Sequence, residues 1–585
     1  METVKKNLTY DVVVVGGGIS GVCAALASAR HGAKTVIINN RPVFGGNASS
    51  EVRMHICGAC VGGAYENARE TGIIEELQLD NRKVNPQDSF SVFDVVLWEK
   101  VKYQPNLDFF LNTHMYEVIT ENNTIKCVKC TVLASETELL INGSYFIDAT
   151  GDGTLGAYSN AEFMQGREAK KTFNEQYAPD EADETTMGNT IMFLAKDMGK
   201  PIPFYKPFWA YELDEDDLKY RNHDMIKGGY WWIEYGGEKL STITDNEEIR
   251  DELLKWAYGV WDHIKNRGDH GASTLALDWV CVVPGKRESR RLTGDYVLTE
   301  RDVLDYTVFD DAIAYGGWPM DMHIPGGIAS KDFEPTLYIN LEKQYSIPYR
   351  TIYSVNINNL FLAGRASSNS RMAFGSTRVM ATCGLIGQAA GTAAALANEC
   401  SISPREVNEN IKELQRRLAK DDCYIMGYSY LDENDLAKKA KIICSSHQET
   451  QDNLKNGLTR NIGSRVNCWE SATSRNESIQ LIFSSVEKIR EVLIRFESNL
   501  SMEFRLTMSY NATYKQYPGL PREITKEYQI VFEKDNQVVK TIEVRDNHQR
   551  FVSHQFDEIN VDKITIKLLR THGADSFKVY DVNVF

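Results

Sequence analysis

The six residues Gly16-Gly17-Gly18-Ile19-Ser20-Gly21 have the spacing G-x-G-x-x-G, and glycines in that spacing act by having no side chain. Gly16 permits a tight turn, Gly18 lets the backbone approach a pyrophosphate, and Gly21 lets a helix pack close to a strand. A helix beginning here offers unpaired N–H groups and the positive end of its dipole to phosphate oxygens. Context makes the motif informative. It follows the buried-looking run Tyr10 to Val15 and opens a stretch rich in small residues, 19–31, as a dinucleotide site requires. Asn39, with Asn40 beside it, stands where an acidic residue usually accepts the ribose hydroxyls. An amide can still accept one such bond, so the departure touches the ribose contact and leaves the phosphate argument intact.

The elements that must position this loop form a βαβ unit: strand 10–15, helix 19–31 ended by Gly32, and a second buried strand at Lys34 to Ile38. Apolar runs without alternation suit a parallel sheet covered on both faces. A glycine-rich stretch follows at 45–63, and another buried strand runs from Leu139 to Asp148. Residues 160–340 read as a large insertion, rich in aromatics (Trp209, Trp231, Trp232, Trp256, Trp261, Trp279), that suits a substrate-covering domain. Residues 350–398 return to strand, glycine turn and small-residue helix, and a charged helix from Pro404 to Leu418 acts as a connector. From about residue 450 apolar and polar residues alternate, at Val492/Ile494/Phe496, Phe504/Leu506/Met508/Tyr510, Ile564/Ile566/Leu568 and Val582/Val584. Period-two alternation between turn clusters predicts an antiparallel β-sandwich.

Two later segments separate FAD from NAD. Asp148-Ala149-Thr150-Gly151-Asp152-Gly153 and Asn359-Leu360-Phe361-Leu362-Ala363-Gly364-Arg365 resemble the ATGDG and second-glycine motifs of FAD proteins of the glutathione-reductase superfamily. Gly45-Gly46-Asn47-Ala48-Ser49-Ser50-Glu51 resembles the GGNSSSE box of the bacterial FAD-dependent oxidoreductase family related to the flavoprotein subunit of heterodisulfide reductase. Gly166-Arg167-Glu168, Arg287-Glu288-Ser289-Arg290-Arg291, Ile347-Pro348-Tyr349-Arg350, Ala363 to Ser368 and Gly375 to Cys383 look like further boxes of it. The resemblance covers roughly residues 9–400.

It implies an α/β fold: a glutathione-reductase-type Rossmann FAD-binding domain with an inserted α+β substrate domain, followed by a C-terminal antiparallel, jelly-roll-like β-sandwich. The expected boundaries are 1–160 and 346–400 for the FAD-binding domain, 161–345 for the insertion, 401–449 for the helical connector and 450–585 for the sandwich. The residues expected to hold FAD are Gly16, Gly18, Ile19, Ser20, Gly21, Asn39, Asn40, Arg41, Gly45, Gly46, Asn47, Ser50, Met115, Thr150, Gly151, Asp152, Gly364, Arg365, Gly375 and Ser376. A helix starting at Ser376 would point its N-terminus at the flavin pyrimidine, where negative charge builds on reduction.

A flavin supplies the hydride chemistry, and the protein supplies orientation and proton transfer. In flavoproteins resembling fumarate reductase, His and Arg groups face the flavin across the substrate. His323 and His55 are the candidates for moving a proton, since imidazole titrates near neutrality. Arg53, Arg290 and Arg371 are the candidates for binding a carboxylate or holding an oxyanion. Cys57-Gly58-Ala59-Cys60 has the spacing of a redox dithiol, which sets a thiol–disulfide activity beside the leading expectation. That expectation is hydride transfer between the flavin and a small polar substrate, a carbohydrate or hydroxy acid. The same site could instead pass hydride from the flavin to the double bond of an unsaturated acid. A glycan-binding scaffold with a structural FAD is the reading from another class.

Composition narrows the partners. Net charge is −16 and no basic run occurs, so neither nucleic acid nor an anionic membrane is expected. The apolar run at Val12 to Val15 is too short for a signal-peptide core, and a cytoplasmic location is expected. The 11 cysteines are scattered, against a disulfide framework. Cys127 and Cys130 lie in a strand-like run, where i and i+3 sit roughly 10 Å apart on opposite faces. Relatives of heterodisulfide reductase carry iron–sulfur clusters, but no C-x2-C-x2-C-x3-C run is present, and no metal is expected. The partners expected are a small-molecule substrate and an electron acceptor or donor that no motif names, and the sequence is compatible with a homo-oligomer. Asn456-Gly457 ahead of Asn467-Cys468-Trp469-Glu470-Ser471 loosely resembles the opening of galactose-binding-like domains.

Overall fold

A computed structural model describes residues 4–60, 65–224, 228–508, 516 and 518–585. These divide into two compact units. The first comprises Met1–Ala59, Asp88–Ile411 and Arg505–Gln516, and the second Cys60–Gln87, Lys412–Phe504 and Tyr517–Phe585.

The first unit is built on strand β1 (Val4–Val15), helix α1 (Ile19–Arg30), and strands β2 (Thr35–Ile38), β3 (Leu107–Phe110), β4 (Thr113–Glu121), β5 (Thr124–Val132) and β6 (Thr137–Asp148). The sheet order is β3-β2-β1-β6-β5-β4, with Leu360–Leu362 also against β6. Pairing from β3 through β1 to β6 is parallel, and β6-β5-β4 is an antiparallel meander. β6 changes partner part-way: Thr137 to Asn142 pair with β5, while Phe146 to Asp148 pair with Leu360–Leu362. Val12 to Val15 and Thr35 to Ile38 are all buried, as the unbroken apolar runs predict for a sheet covered on both faces.

Helix α1 is buried from Ile19 to Ala29 and packs on the helix Met380–Cys400. Glycine is required at that crossing, because a Cβ at Gly387 would lie 2.1 Å from Ser20 O and one at Gly391 2.0 Å from Ala24 O. Met380–Cys400 is long and apolar enough to cross a membrane by length and composition, with 94% of its apolar window buried. Cys127 and Cys130 both lie on β5, and all 11 cysteines are thiols, none in a disulfide.

The insertion is a set of two-stranded ribbons around one long helix, Asn246–Asp262. Its core holds Phe193, Tyr230, Trp232, Ile249 and Trp261. Trp231, Trp256 and Trp279 pack against this core. Trp256 packs on Tyr211, and Trp279 lies under Arg53.

The second unit is an antiparallel seven-stranded sheet of sandwich type. Its order is Trp469–Glu470, Lys578–Val584, Glu477–Phe496, Phe551–Thr571, Thr525–Lys534, Gln537–Val544, with Lys441–Cys444 also on Glu477–Phe496. Ile564, Ile566, Leu568, Val582 and Val584 are all buried, as alternation predicts. Two expectations differ. At Val492 to Phe496 both faces are buried, because Arg495 sits at 0% exposure bonded to Asp581 and to the carbonyls of Ala419 and Lys420. Phe504 to Leu506 are not in a strand, and Tyr510 lies outside the described residues. The division of the chain also differs from the sequence boundaries: Cys60–Gln87 and most of the expected connector belong to the sandwich unit, and Arg505–Gln516 to the first.

Candidate active site

The C-terminal end of β1 delivers the chain into the glycine loop. Gly16 has φ +110°, and a Cβ there would meet Ala149 O at 2.2 Å, so only glycine fits. A Cβ on Gly21 would lie 1.9 Å from Gly16 O, which is the helix–strand approach the motif predicts. The second glycine box closes on the first: Gly45 N–H donates to Gly17 O at 2.8 Å, and Gly46 lies against Gly18. Gly18 faces open space, with nothing within 4 Å of where its Cβ would stand.

That space is a cavity of about 630 Å³ lined by the glycine loop, the second glycine box, Thr150 to Asp152, Gly364 and Arg365. No side chain caps α1, so its first-turn N–H groups are available to an anion. Ser20 Oγ and Asp152 Oδ1, both on residues lining the cavity, are buried without a hydrogen-bond partner among the described residues. A buried polar atom is normally satisfied. A cradle that admits backbone approach, an uncapped helix start and unsatisfied polar atoms together fit a bound dinucleotide.

Of the expected cofactor residues, Gly16, Gly18, Ile19, Ser20, Asn39, Asn40, Arg41, Gly45, Gly46, Asn47, Met115, Thr150, Gly151, Asp152, Gly364 and Arg365 line the cavity. Asn39 has another use than the one expected. Its Oδ1 accepts from Gly17 N–H at 3.2 Å and its Nδ2 donates to Val43 O at 2.8 Å, so the amide braces the loop.

Gly21, Ser50, Gly375 and Ser376 do not line the cavity. Gly21 is the packing position just described. Ser50 N–H is bonded to Asp94 at 3.0 Å. Gly375 lets the helix Arg371–Thr377 approach Met322, whose Sδ would be 2.6 Å from a Cβ there. Ser376 Oγ donates to Trp318 O at 2.5 Å. No helix begins at Ser376. Helical structure is interrupted at Arg378 and Val379, and the helix whose start lines the cavity begins at Met380.

Three of the five expected catalytic side chains also fall outside the cavity. Arg53 stacks on the Trp279 ring at 4.2 Å, Arg290 donates to Asp152 O at 3.2 Å, and Arg371 is buried 3.4 Å from Glu288. The boxes 166–168 and 287–291 meet at Arg371 through Arg291, which is 0% exposed and bonded to Glu168 and Glu288 at 2.5 and 2.7 Å. They form a structural ion network.

His55 and His323 do line the cavity. Burial, reinforced by Arg505 and Arg287, pulls His55 down to about 3, so it is neutral near pH 7. His323 is held differently: its Nδ1 lies 2.5 Å from Glu234 Oε2 and its Nε2 3.4 Å from Asp321 Oδ2. Burial raises Glu234, but Arg287, His323 and Arg378 outweigh it and leave the carboxyl below its ordinary value. Asp321 is held well below the carboxylate range by His323 and Arg378 against the same burial. Arg287 and Arg378 also line the cavity, as do Trp231, Trp318 and Tyr338, and Trp231 packs edge-on against His323 at 5.4 Å. Sequence reasoning named Arg287 and Arg378 only inside family boxes, Trp231 only as an aromatic of the insertion, and Trp318 and Tyr338 not at all.

Cys57 lines the cavity, and Arg505 Nη1 lies 3.9 Å from its sulfur. Cys60 does not line it and donates to Ser501 O at 3.2 Å. A dithiol at the site therefore lacks its second member.

The model of the FAD dependent oxidoreductase family matches residues 11–418. The chain belongs to that family. Its cofactor is FAD, and it is an FAD-dependent oxidoreductase. Among solved structures, a geranylgeranyl bacteriochlorophyll reductase-like protein of Thermoplasma acidophilum is similar at 13% identity over 71% of this chain and 86% of that one, with a TM-score of 0.33. The family 32 carbohydrate-binding module of Streptococcus pneumoniae EndoD (14% identity, 26% and 99% covered, TM-score 0.20) and the lectin domain of lectinolysin bound to Lewis B antigen (10%, 26% and 98%, 0.20) are also similar. Likenesses at these scores carry no argument about function.

Proposed function

We propose that this oxidoreductase acts on a small polar substrate, a carbohydrate or hydroxy acid. FAD, held by the glycine loop, the second glycine box and residues 150–152 and 364–365, supplies the two-electron hydride chemistry. The observation that carries the reading is the Glu234–His323 pair in the wall of the glycine-lined cavity, next to Trp231.

A carboxylate on Nδ1 fixes an imidazole's tautomer and orientation, and the other nitrogen, Nε2, 3.4 Å from Asp321 Oδ2, exchanges a proton with a hydroxyl that displaces this long contact. Trp231, Trp318 and Tyr338 give faces on which the C–H surface of a sugar or the carbon skeleton of an acid can lie. Arg378 holds Asp321 at 2.9 Å and Arg287 lies 3.4 Å from Glu234, so these cations sit close to any oxyanion that forms there.

The test is the visible spectrum of the purified protein, recorded anaerobically with a panel of sugars, sugar acids and hydroxy acids. Bleaching of the flavin band by one of them supports the proposal and names the substrate. A flavin that none of them bleaches, but that is reoxidised after chemical reduction by an unsaturated acid, replaces it with the reductase direction.

A further inference from the structure

A second cluster of chemistry-bearing side chains lies in the insertion, and none of its members lines the FAD cavity. His263 opens a π-helical turn, His263–Arg267, at the end of the helix Asn246–Asp262. The chain then folds back at Gly268, where a Cβ would lie 2.2 Å from His270 Nε2, so the glycine makes room for that ring. The turn is clamped by Lys265 Nζ, which donates to Ala272 O and Ser273 O, both at 2.7 Å. Opposite it, the segment 213–224 brings in Glu215 and His223.

One ligand atom from each of Glu215, His223, His263 and His270 lies within 4.8 Å of the others. His263 Nε2 is 3.2 Å and His270 Nε2 3.4 Å from Glu215 Oε1, His223 Nε2 is 3.3 Å from Glu215 Oε2, and the Nε2 atoms of His263 and His270 are 3.2 Å apart. Ligands about 2.0–2.1 Å from a tetrahedral ion stand about 3.3 Å from one another. The four separations of 3.2–3.4 Å have that size, and every pair lies within 4.8 Å.

The far sides of two rings are also arranged. His223 Nδ1 lies 2.6 Å from Arg221 O and His263 Nδ1 3.2 Å from Leu213 O. A carbonyl can only accept, so Nδ1 carries the proton and the lone pair of the neutral ring is on Nε2, facing inward. Backbone carbonyls orient metal-bound histidines in this way. Lone pairs from two oriented imidazoles, a third imidazole and a carboxylate converge on one point, which calls for a cation there.

We infer that Glu215, His223, His263 and His270 bind one divalent transition-metal ion, zinc by the tetrahedral N3O donor set. With four protein ligands no position is left for a substrate water, so the ion is a structural staple. It ties the segment 213–224 to the end of the insertion's long helix.

The experiment uses holoprotein made without a histidine tag. It is stripped with a chelator, then titrated with Zn(II) against a chromophoric competitor, and separately with Co(II) while absorption is read beyond the flavin bands. Expected are one equivalent of Zn(II) per chain and the ligand-field bands of tetrahedral Co(II). E215Q and H270Q should each weaken binding by more than about 100-fold, with FAD content and far-UV circular dichroism unchanged. Glu215 is mostly exposed, so E215Q keeps the test open should H270Q fold poorly. Binding no tighter than millimolar, or equal binding by the wild type and E215Q, would overturn the assignment and leave a cluster that shares protons.

Discussion

His55 and His323 share one cavity, but their neighbours set them different tasks. The Glu234 carboxylate on His323 makes it the group to test for proton transfer. H323A is expected to lower turnover about 10²–10⁴-fold while the flavin band of the purified protein is retained, and unchanged turnover would remove His323 from the mechanism. E234Q removes the orienting charge, so it should change the pH–rate profile as well as the rate. His55 contributes to stability through its depressed pKa. It protonates near 6.5 when unfolded and only at about 3 when folded, so between those values the unfolded chain binds the extra proton. Its contribution is full above about pH 6.5 and is lost as pH falls toward 3. H55Q should therefore flatten the fall in urea midpoint on going from about pH 7 to about pH 5, and an unaltered slope would contradict this. Much of the residue-level site was legible because the glycine loop is a local constraint: Gly16 and Gly21 are dictated by backbone atoms within or beside the motif. Trp318 and Tyr338 were not legible, since they reach the cavity from loops and ribbons whose sequence carries no period.

Elements meet here through glycines and through buried charge, and both give predictions. A side chain at Gly387 would strike the Ser20 carbonyl at the start of α1. G387A should cost about 1–3 kcal/mol of stability and weaken FAD binding, read by thermal midpoint and flavin fluorescence. In the sandwich unit Arg550 is 1% exposed and bonded to Asp422 Oδ2 and Phe496 O, both at 2.9 Å, with Glu75 3.7 Å away. Removing one partner strands a buried carboxylate, so R550M should cost about 3–5 kcal/mol, seen as an earlier unfolding transition. The strands of the sandwich were readable from alternation wherever one face is solvated. Alternation fails at Arg495, because an ion network buries the second face as well. The helix break at Arg378 and Val379 was invisible, since 375–383 has neither proline nor a change in polarity strong enough to mark it.

At the scale of the molecule the chain enters the sandwich unit at Cys60, leaves it at Asp88, re-enters at Lys412 and crosses again around Arg505–Gln516. The family match ends at residue 418, yet the first unit is not finished there. Calorimetry should resolve separate transitions for the two units. FAD at about 100 times its dissociation constant should stabilise the first by about 2.7 kcal/mol and leave the second in place, whereas one joint transition moving with FAD would show the units to be a single cooperative block. Arg505, a lining residue of the cavity, also sets a clock. It leaves the ribosome 94 residues after Ile411, the end of the preceding piece of its unit, and at about 5–20 residues per second that is roughly 5–20 s later. During that interval the nascent enzyme has its glycine cradle but a cavity wall that still lacks Arg505.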